Sequence, residues 1–513
     1  MLSIISSCAF WGMEGYRVQV EVDVSSGLPA FDIVGLPDAS VKESKERVRA
    51  AIRNSGFEFP LRRITVNLAP ADVKKEGSLF DLPIAVGILT ATGQIPASDL
   101  LQSSAFCGEL SLEGAIRPIS GGLAIADCLQ KEEAITGFFL PAENAPEAAI
   151  VTGLQIYPIP HLRELAMILS GEEQPQPLKI DLAAVFSARQ SGQEDVDMAD
   201  VKGQEGVKRA LEIAAAGGHN VLLIGPPGSG KTMLARRLPS ILPDMTLEES
   251  IEVTKLYSIA GLLPKEQALI TRRPFRAPHH GASSASIIGG GANPKPGEVS
   301  LASHGVLFLD EMPEFTRDVL EALRQPLEDH MITVARVNAR VSFPAQFQLV
   351  GALNPCPCGY LGDTLKECVC TPHQIQKYRQ KISGPLWDRI DIHMEVPRVK
   401  YKDISSVEKT DSSAQIRARV EAARKIQQDR YKGTSYTCNS QMGRRDVEKY
   451  CCLEPAAKEM LAEAFRYLQL SARAHDRILK VARTIADLDG QDAITVEHIA
   501  EAIQYRSLDR SLT

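Results

Sequence analysis

Residues 221–232 run Val-Leu-Leu-Ile-Gly-Pro-Pro-Gly-Ser-Gly-Lys-Thr, and few stretches of this length leave a chain so little choice of fold. The apolar run Val221-Leu222-Leu223-Ile224 reads as a buried parallel strand, and Met233-Leu234-Ala235-Arg236-Arg237 after the turn is helix-forming. Between them Gly225, Pro226, Pro227, Gly228, Ser229, Gly230, Lys231 and Thr232 fit the pattern G-x-x-x-x-G-K-[ST]. Glycines let backbone N–H groups close around phosphate oxygens, and the following helix aims its positive N-terminus at them. Lys231 supplies a point charge to the phosphates, and Thr232 offers its hydroxyl to Mg²⁺. Strand, loop and helix together predict a nucleoside triphosphate site, with ATP and Mg²⁺ as cofactors, in a doubly wound α/β domain.

The second half of that site is Gly305-Val306-Leu307-Phe308-Leu309-Asp310-Glu311, an apolar strand ending in two carboxylates. Asp310 is placed to hold Mg²⁺ through water. Glu311, one residue on, can polarise the water that attacks the γ-phosphate. The second carboxylate argues for hydrolysis rather than nucleotide binding alone.

The 513 residues suffice for about three domains. Residues 1–168 mix alternating strands with helices and predict an α+β domain. Within them Val18–Val24 has period two, Val41–Ile52 has helical periodicity, and Ile64–Leu68 reads as another strand. Residues 169–199 are polar and broken, as in a linker. Residues 200–396 hold the nucleotide motifs and a further strand at Phe347–Ala352. Residues 397–513 turn helical, with helices near 412–430, 454–468, 472–488 and 495–506 and an N-cap at Thr495.

No apolar run is long enough to span a bilayer, and Met1-Leu2-Ser3-Ile4-Ile5 lacks a signal peptide's basic segment. A cytoplasmic protein with no membrane partner is expected. A net charge of −7 carries no overall nucleic-acid signature, so such binding has to come from local basic patches. Ten cysteines in such a chain do not imply a disulfide framework. Four of them, Cys356, Cys358, Cys368 and Cys370, form two C-x-C pairs on one short loop, a candidate for structural tetrahedral Zn²⁺. The spacing departs from the commoner C-x₂-C, and a loop of reduced cysteines is the alternative. Cys8, Cys107, Cys128, Cys438, Cys451 and Cys452 lack ligand spacing and read as small hydrophobes.

Four elements in fixed order carry a resemblance. They are the phosphate loop, Leu309-Asp310-Glu311, Ala352-Leu353-Asn354-Pro355 and Gly384-Pro385-Leu386-Trp387-Asp388-Arg389-Ile390-Asp391. They resemble the magnesium-chelatase-like AAA+ ATPases, and over essentially the full length the YifB/ComM family. Arg273-Pro274-Phe275-Arg276-Ala277-Pro278-His279-His280, followed by Ile288-Gly289-Gly290-Gly291, looks specific to that family. The resemblance implies an AAA+ doubly wound parallel sheet with a helical lid, in a homo-hexameric ring. ComM-type members are similar to DNA helicases that drive branch migration when transforming DNA is integrated. Residue by residue, it implies that Asn354 is sensor 1, orienting the attacking water. Arg389 matches the arginine finger that reaches a neighbour's γ-phosphate, and Arg473 matches sensor 2, with Arg477 one turn later as its rival.

The first domain resembles the Lon-protease fold, with departures. Lys75-Glu76-Gly77-Ser78-Leu79-Phe80-Asp81 occupies the place of the nucleophile loop, where the nucleophile's position falls on Leu79 and Ser78 comes one place early. Pro118-Ile119-Ser120-Gly121-Gly122-Leu123-Ala124 resembles the motif of the catalytic lysine, but Ala124 stands in the lysine's place. A Ser–Lys dyad needs an amine to take the hydroxyl proton. The domain therefore reads as a proteolytically inactive module.

Two basic elements are candidates for touching single-stranded or branched DNA. One is the insertion carrying Arg272, Arg273, Arg276, His279 and His280. The other is a hairpin over Ile332–Phe343, with Arg336 and Arg340 flanking a polar tip around Asn338. Neither shows the aromatic interleaving of stacking platforms, so contact with the phosphate backbone is expected. The competing reading is a chelatase-like ATPase that remodels a protein partner. A peptide-binding role for the first domain is the third.

Overall fold

The computed structural model describes residues 1–190, 196–264, 267–291, 294–336, 339–363, 365–399, 410–434, 436–468 and 471–506. The chain divides into two compact units. One comprises Met1–Ser191, Thr246–Thr271 and Val337–Ser342, and the other Gly192–Met245, Arg272–Arg336 and Phe343–Thr513.

The first unit is built on a seven-stranded mixed sheet. Its spatial order is Ala30–Val34, Arg63–Ala69, Glu14–Ser25, Leu2–Trp11, Ser104–Phe106, Gly137–Pro141 and Gln155–Ile159. The two long strands pair antiparallel, whereas those from Ser104 onward join in parallel. The period-two pattern is realised in Glu14–Ser25, where Val18, Val20, Val22 and Val24 are buried. Helix Ala39–Asn54 turns Val41, Val48, Ala51 and Ile52 inward and starts at Asp38, whose carboxylate accepts from Val41 N at 2.8 Å. Helix Asp81–Ala91 is buried on nearly every side because it packs on the two long strands.

Residues 169–199 contain helix Leu182–Gln190. Helix Leu247–Ala260 follows the phosphate-loop helix in sequence yet belongs to this first unit. Its N-terminus is fixed by a capping box in which Glu249 N donates to Thr246 Oγ1 at 3.2 Å and Thr246 N to Glu249 Oε2 at 3.1 Å. It is held by Lys255 Nζ on Asp127 Oδ2 at 2.8 Å and by Gly121 N on Ser258 O at 3.0 Å.

The second unit is a five-stranded sheet, parallel throughout, in the order Phe275–Arg276, Val306–Leu309, Gln348–Leu353, Val221–Ile224 and Ile392–Glu395. The strand feeding the phosphate loop lies inside the sheet, beside the strand that ends at Asn354. Those central strands are apolar but for Gln348, whose Nε2 donates to His219 O at 2.6 Å, as expected when helices cover both faces. Helices Ser413–Arg430, Pro455–Leu468, Ala472–Leu488 and Val496–Gln504 follow, the last with Thr495 at its N-cap. Strand Met331–Arg336 belongs to this unit, whereas Ala339–Pro344 lies in the first unit as far as Ser342. The tip around Asn338 lies outside the described residues. Among the described residues, no helix is long and apolar enough to cross a membrane.

Candidate functional site

The phosphate loop turns because three of its glycines have no Cβ. Gly228 and Gly230 sit at φ 77° and 90°, the left-handed region, and a Cβ on Gly225 would lie 2.3 Å from Val396 O. Helix Lys231–Ile241 begins directly after Gly230, so its free N–H groups face the loop. Lys231 Nζ donates to Gly225 O at 2.7 Å, Pro226 O at 3.0 Å and Asn354 Oδ1 at 3.3 Å. Burial lowers its pKa, and Asp310 and Glu311 act against that. Thr232 Oγ1 donates to Asp310 Oδ2 at 2.8 Å. The loop, both halves of the predicted Mg²⁺ pair and the sensor-1 candidate therefore converge on one point.

Glu311 N donates to Asp310 Oδ1 at 3.0 Å, and Glu311 itself sits at φ 49°, an uncommon conformation for a residue with a side chain. Its Oε2 lies 3.8 Å from His280 Nδ1. The His280 ring leans on His279 at 4.1 Å and meets Phe315 edge-on at 6.5 Å. In sequence His280 belongs to a basic insertion, and no local pattern connects it with Glu311.

Gln204 was missed altogether. Its Nε2 donates to Ser229 O at 2.7 Å and to Pro397 O at 3.2 Å, tying the loop to the chain that follows the last strand. The sequence signal was slight, a lone polar residue before helix Glu205–Gly217.

The two arginines of helix Ala472–Leu488 have different surroundings. Arg473 is exposed, its Nη1 4.0 Å from Asp388 Oδ2. Arg477 Nη1 donates to the buried Asp391. Burial would raise the Asp391 pKa, but Arg477 and then His219 hold it well below the usual carboxylate range. Arg389 is buried, with Nη1 on Pro385 O at 2.6 Å and Nη2 on Glu328. Within its own chain, then, the arginine-finger candidate is held by a carboxylate.

Of the DNA-contact candidates, Arg340 is exposed, whereas the side chain of Arg336 falls outside the described residues. Arg273 donates through Nη1 to His304 O at 2.7 Å, through Nη2 to Asp244 O at 3.1 Å and through Nε to Pro243 O. Arg276 grips Glu298 with two bonds, at 2.6 and 2.8 Å. Both guanidinium groups are thus engaged inside the fold.

Cys356, Cys358, Cys368 and Cys370 come together, with all four sulfurs within 4.8 Å of one another. Cys356 Sγ lies 3.3 Å from Cys358 Sγ and 3.6 Å from Cys368 Sγ. Four thiolates about 2.3 Å from one Zn²⁺ have sulfurs about 3.8 Å apart, so the donor set and spacing fit that ion.

In the first unit, Ser78 Oγ donates to Glu109, Ala124 is fully buried, and Lys75 Nζ donates to Val73 O at 2.8 Å. Asp81 accepts two bonds from Arg47, at 2.6 and 3.0 Å. Among the described contacts, these polar groups serve to hold the fold.

A parallel sheet with a Gly-rich phosphate loop, an acidic strand end and an asparagine between them defines a P-loop ATPase of the AAA+ class. Family profiles agree. Residues 197–404 match magnesium chelatase subunit ChlI, residues 20–144 match subunit ChlI of Mg-chelatase, and residues 410–506 match the ChlI C-terminal region. The chain is 44% identical to the "Competence protein ComM" of Haemophilus influenzae, covering 100% of this chain and 98% of that one. It is 43% identical to the "Uncharacterized protein YifB" of Escherichia coli with the same coverage. It is also 40% identical to an uncharacterized protein of Mycobacterium tuberculosis, over 98% of this chain and 97% of that one. The chain belongs to the YifB/ComM family of magnesium-chelatase-like AAA+ ATPases, whose chemistry calls for ATP and Mg²⁺.

Proposed function

We propose that this protein is an ATP-driven motor that assembles as a homo-hexameric ring in the cytoplasm and moves single-stranded or branched DNA, promoting branch migration when incoming DNA is recombined. The observation that carries the ATPase half is the convergence of Lys231, Asn354, Thr232 and Asp310 within hydrogen-bonding distance. The Haemophilus relative's being a competence protein supports the DNA half.

ATP, when bound, supplies the phosphoanhydride bond to be broken, and the chain's residues do the rest. Lys231 exchanges the carbonyls of Gly225 and Pro226 for phosphate oxygens. Thr232 and Asp310 hold Mg²⁺. Glu311 takes a proton from the attacking water while Asn354 orients that water, and Arg473 steadies the phosphates from the lid. Arg389 leaves Glu328 to neutralise charge at a neighbouring subunit's site. Arg336 and Arg340 contact the DNA backbone, each modest contact multiplied around a ring. The four cysteines hold one structural Zn²⁺ per chain, with no coordination position left open for chemistry.

The deciding experiment is the ATPase rate with single-stranded, duplex and branched DNA and without DNA. Stimulation by branched or single-stranded DNA is expected. An unchanged rate in all four would favour a chelatase-like motor that remodels a protein. Replacing Arg336 and Arg340 together with Ala should weaken DNA binding, make the log–log salt slope shallower and leave basal ATPase intact. An unchanged affinity and slope in an assembled ring would move the DNA path elsewhere.

A further inference from the structure

The four-cysteine loop presses directly on the phosphate loop. A Cβ on Gly359, three residues past Cys356, would lie 2.6 Å from Pro227 Cδ and 2.8 Å from its Cγ. Asn354, which touches Lys231, is two residues before Cys356. On the loop's far side the well-buried Asp363 accepts from Arg398 Nε at 2.8 Å. Arg398 follows Pro397, whose carbonyl accepts from Gln204, and Gln204 also holds Ser229 O. The Arg398 guanidinium and the Lys366 ammonium lie over the Tyr360 ring at 5.8 and 4.3 Å. The loop therefore meets the nucleotide site at three points: on Pro227, through Asn354, and through Arg398 and Gln204.

Among the described residues from Cys356 to Cys370 there is no regular secondary structure to fix the loop's shape. Four neutral thiols in contact hold it weakly, since S–H is a poor donor. Four thiolates on one divalent ion hold it firmly, because the metal–sulfur bonds are strong and directional.

We propose that the cysteine loop is a metal-dependent buttress of the phosphate loop: Zn²⁺ on Cys356, Cys358, Cys368 and Cys370 fixes Gly359 against Pro227 and sets Asn354, so that nucleotide affinity depends on metal occupancy. The inference rests on the zinc reading above and extends it from fold support to control of the ATP site.

The loop supplies its own control. Gly359 and Gly362 are both left-handed, at φ 84° and 78°, so alanine strains the backbone at either. Only at Gly359 would the new methyl meet Pro227; around Gly362 the space is open. The assay combines elemental analysis of protein purified under reducing, chelator-free conditions with binding of a fluorescent ATP analogue. We expect one zinc per chain in the parent, in Gly359→Ala and in Gly362→Ala. Gly359→Ala should bind the analogue at least about tenfold more weakly, about 1.4 kcal/mol, while Gly362→Ala stays near the parent. Chelator-stripped parent should lose affinity similarly and regain it on Zn²⁺ addition. Absence of zinc from the parent, with no uptake of added Zn²⁺, would overturn the zinc reading itself. A zinc-loaded Gly359→Ala that binds like Gly362→Ala would overturn the buttress alone, and this comparison stands even if stripped protein aggregates.

Discussion

Two substitutions in the helix Ala472–Leu488 separate anchoring from catalysis: Arg477→Met and Arg473→Ala. The Asp391 carboxylate is 5% exposed, accepts from Asn220 N at 3.1 Å and lies 3.4 Å from His219 Nδ1, and Arg477 closes its remaining side. Methionine keeps most of the arginine's apolar length but leaves that buried charge short of its main partner. Breaking one side of a buried pair costs about 3–5 kcal/mol, and because the Arg477 side chain is 22% exposed the lower end, about 3 kcal/mol, applies. The pH dependence follows from the sign of the shift. In the parent the Asp391 pKa is depressed, so its contribution is complete above the unfolded value of about 3.9 and is lost only as pH falls through a much lower folded value. In Arg477→Met the largest charge opposing burial is gone and the folded pKa rises, so the penalty is full at neutral pH and shrinks as the carboxyl protonates on acidification. The chain has two tryptophans, one in each unit, so urea unfolding followed by Trp387 fluorescence in a Trp11→Phe background reports on the second unit. Arg473→Ala, by contrast, removes an exposed guanidinium and should change stability by no more than about 0.5 kcal/mol. Its ATP turnover should fall at least about tenfold. An Arg477→Met protein as stable as the parent at pH 7.5, or an Arg473→Ala protein with parental turnover, would refute this division of roles.

Lys231→Ala should impair nucleotide binding, because the three acceptors around Nζ cannot replace its charge toward phosphate. Glu311→Gln should bind normally and turn over at least about a hundredfold more slowly; near-parental turnover would remove Glu311 from its role. Arg389→Ala should bind ATP yet hydrolyse it poorly, and mixing it with Glu311→Gln under subunit exchange should recover activity. Mixed rings that never exceed the sum of their parents would rule out action in trans, leaving Arg389 as the internal partner of Glu328.

What could be read from the sequence was whatever one contiguous segment determines. The phosphate loop and the acidic strand end need only local backbone geometry and a few adjacent residues, so Gly225–Thr232 and Asp310-Glu311 fall where their patterns require. The cysteine pairs were legible for the same reason, two short repeats on one loop. The illegible parts depend on partners far apart in sequence. Asp391 meets Arg477 and His219 through the tertiary fold, and no periodicity announces it. Nor does local pattern tell a helix which sheet to join, and for Leu247–Ala260 the deciding contacts are Lys255 with Asp127 and Ser258 with Gly121. Arg273 and Arg276 read as a basic surface because composition does not reveal that backbone carbonyls and Glu298 already engage them.

The same distinction bears on the first unit, where a resemblance in sequence order meets a different use of the residues. Ala124, in the place of the protease's lysine, is fully buried in helix Gly122–Leu129, and Ser78 is bonded to Glu109 rather than to an amine. Restoring the lysine therefore does not restore a dyad; it puts an ammonium into an apolar interior, at a penalty of roughly 3 kcal/mol or more. Ala124→Lys should accordingly destabilise the first unit by that amount, read by Trp11 fluorescence in a Trp387→Phe background, and should cleave no peptide. If the variant proved as stable as its parent, or gained a peptidase activity that Ser78→Ala abolished, then the 75–81 segment and Ala124 would still frame a working protease site, and the reading of this unit as a non-catalytic module would be wrong.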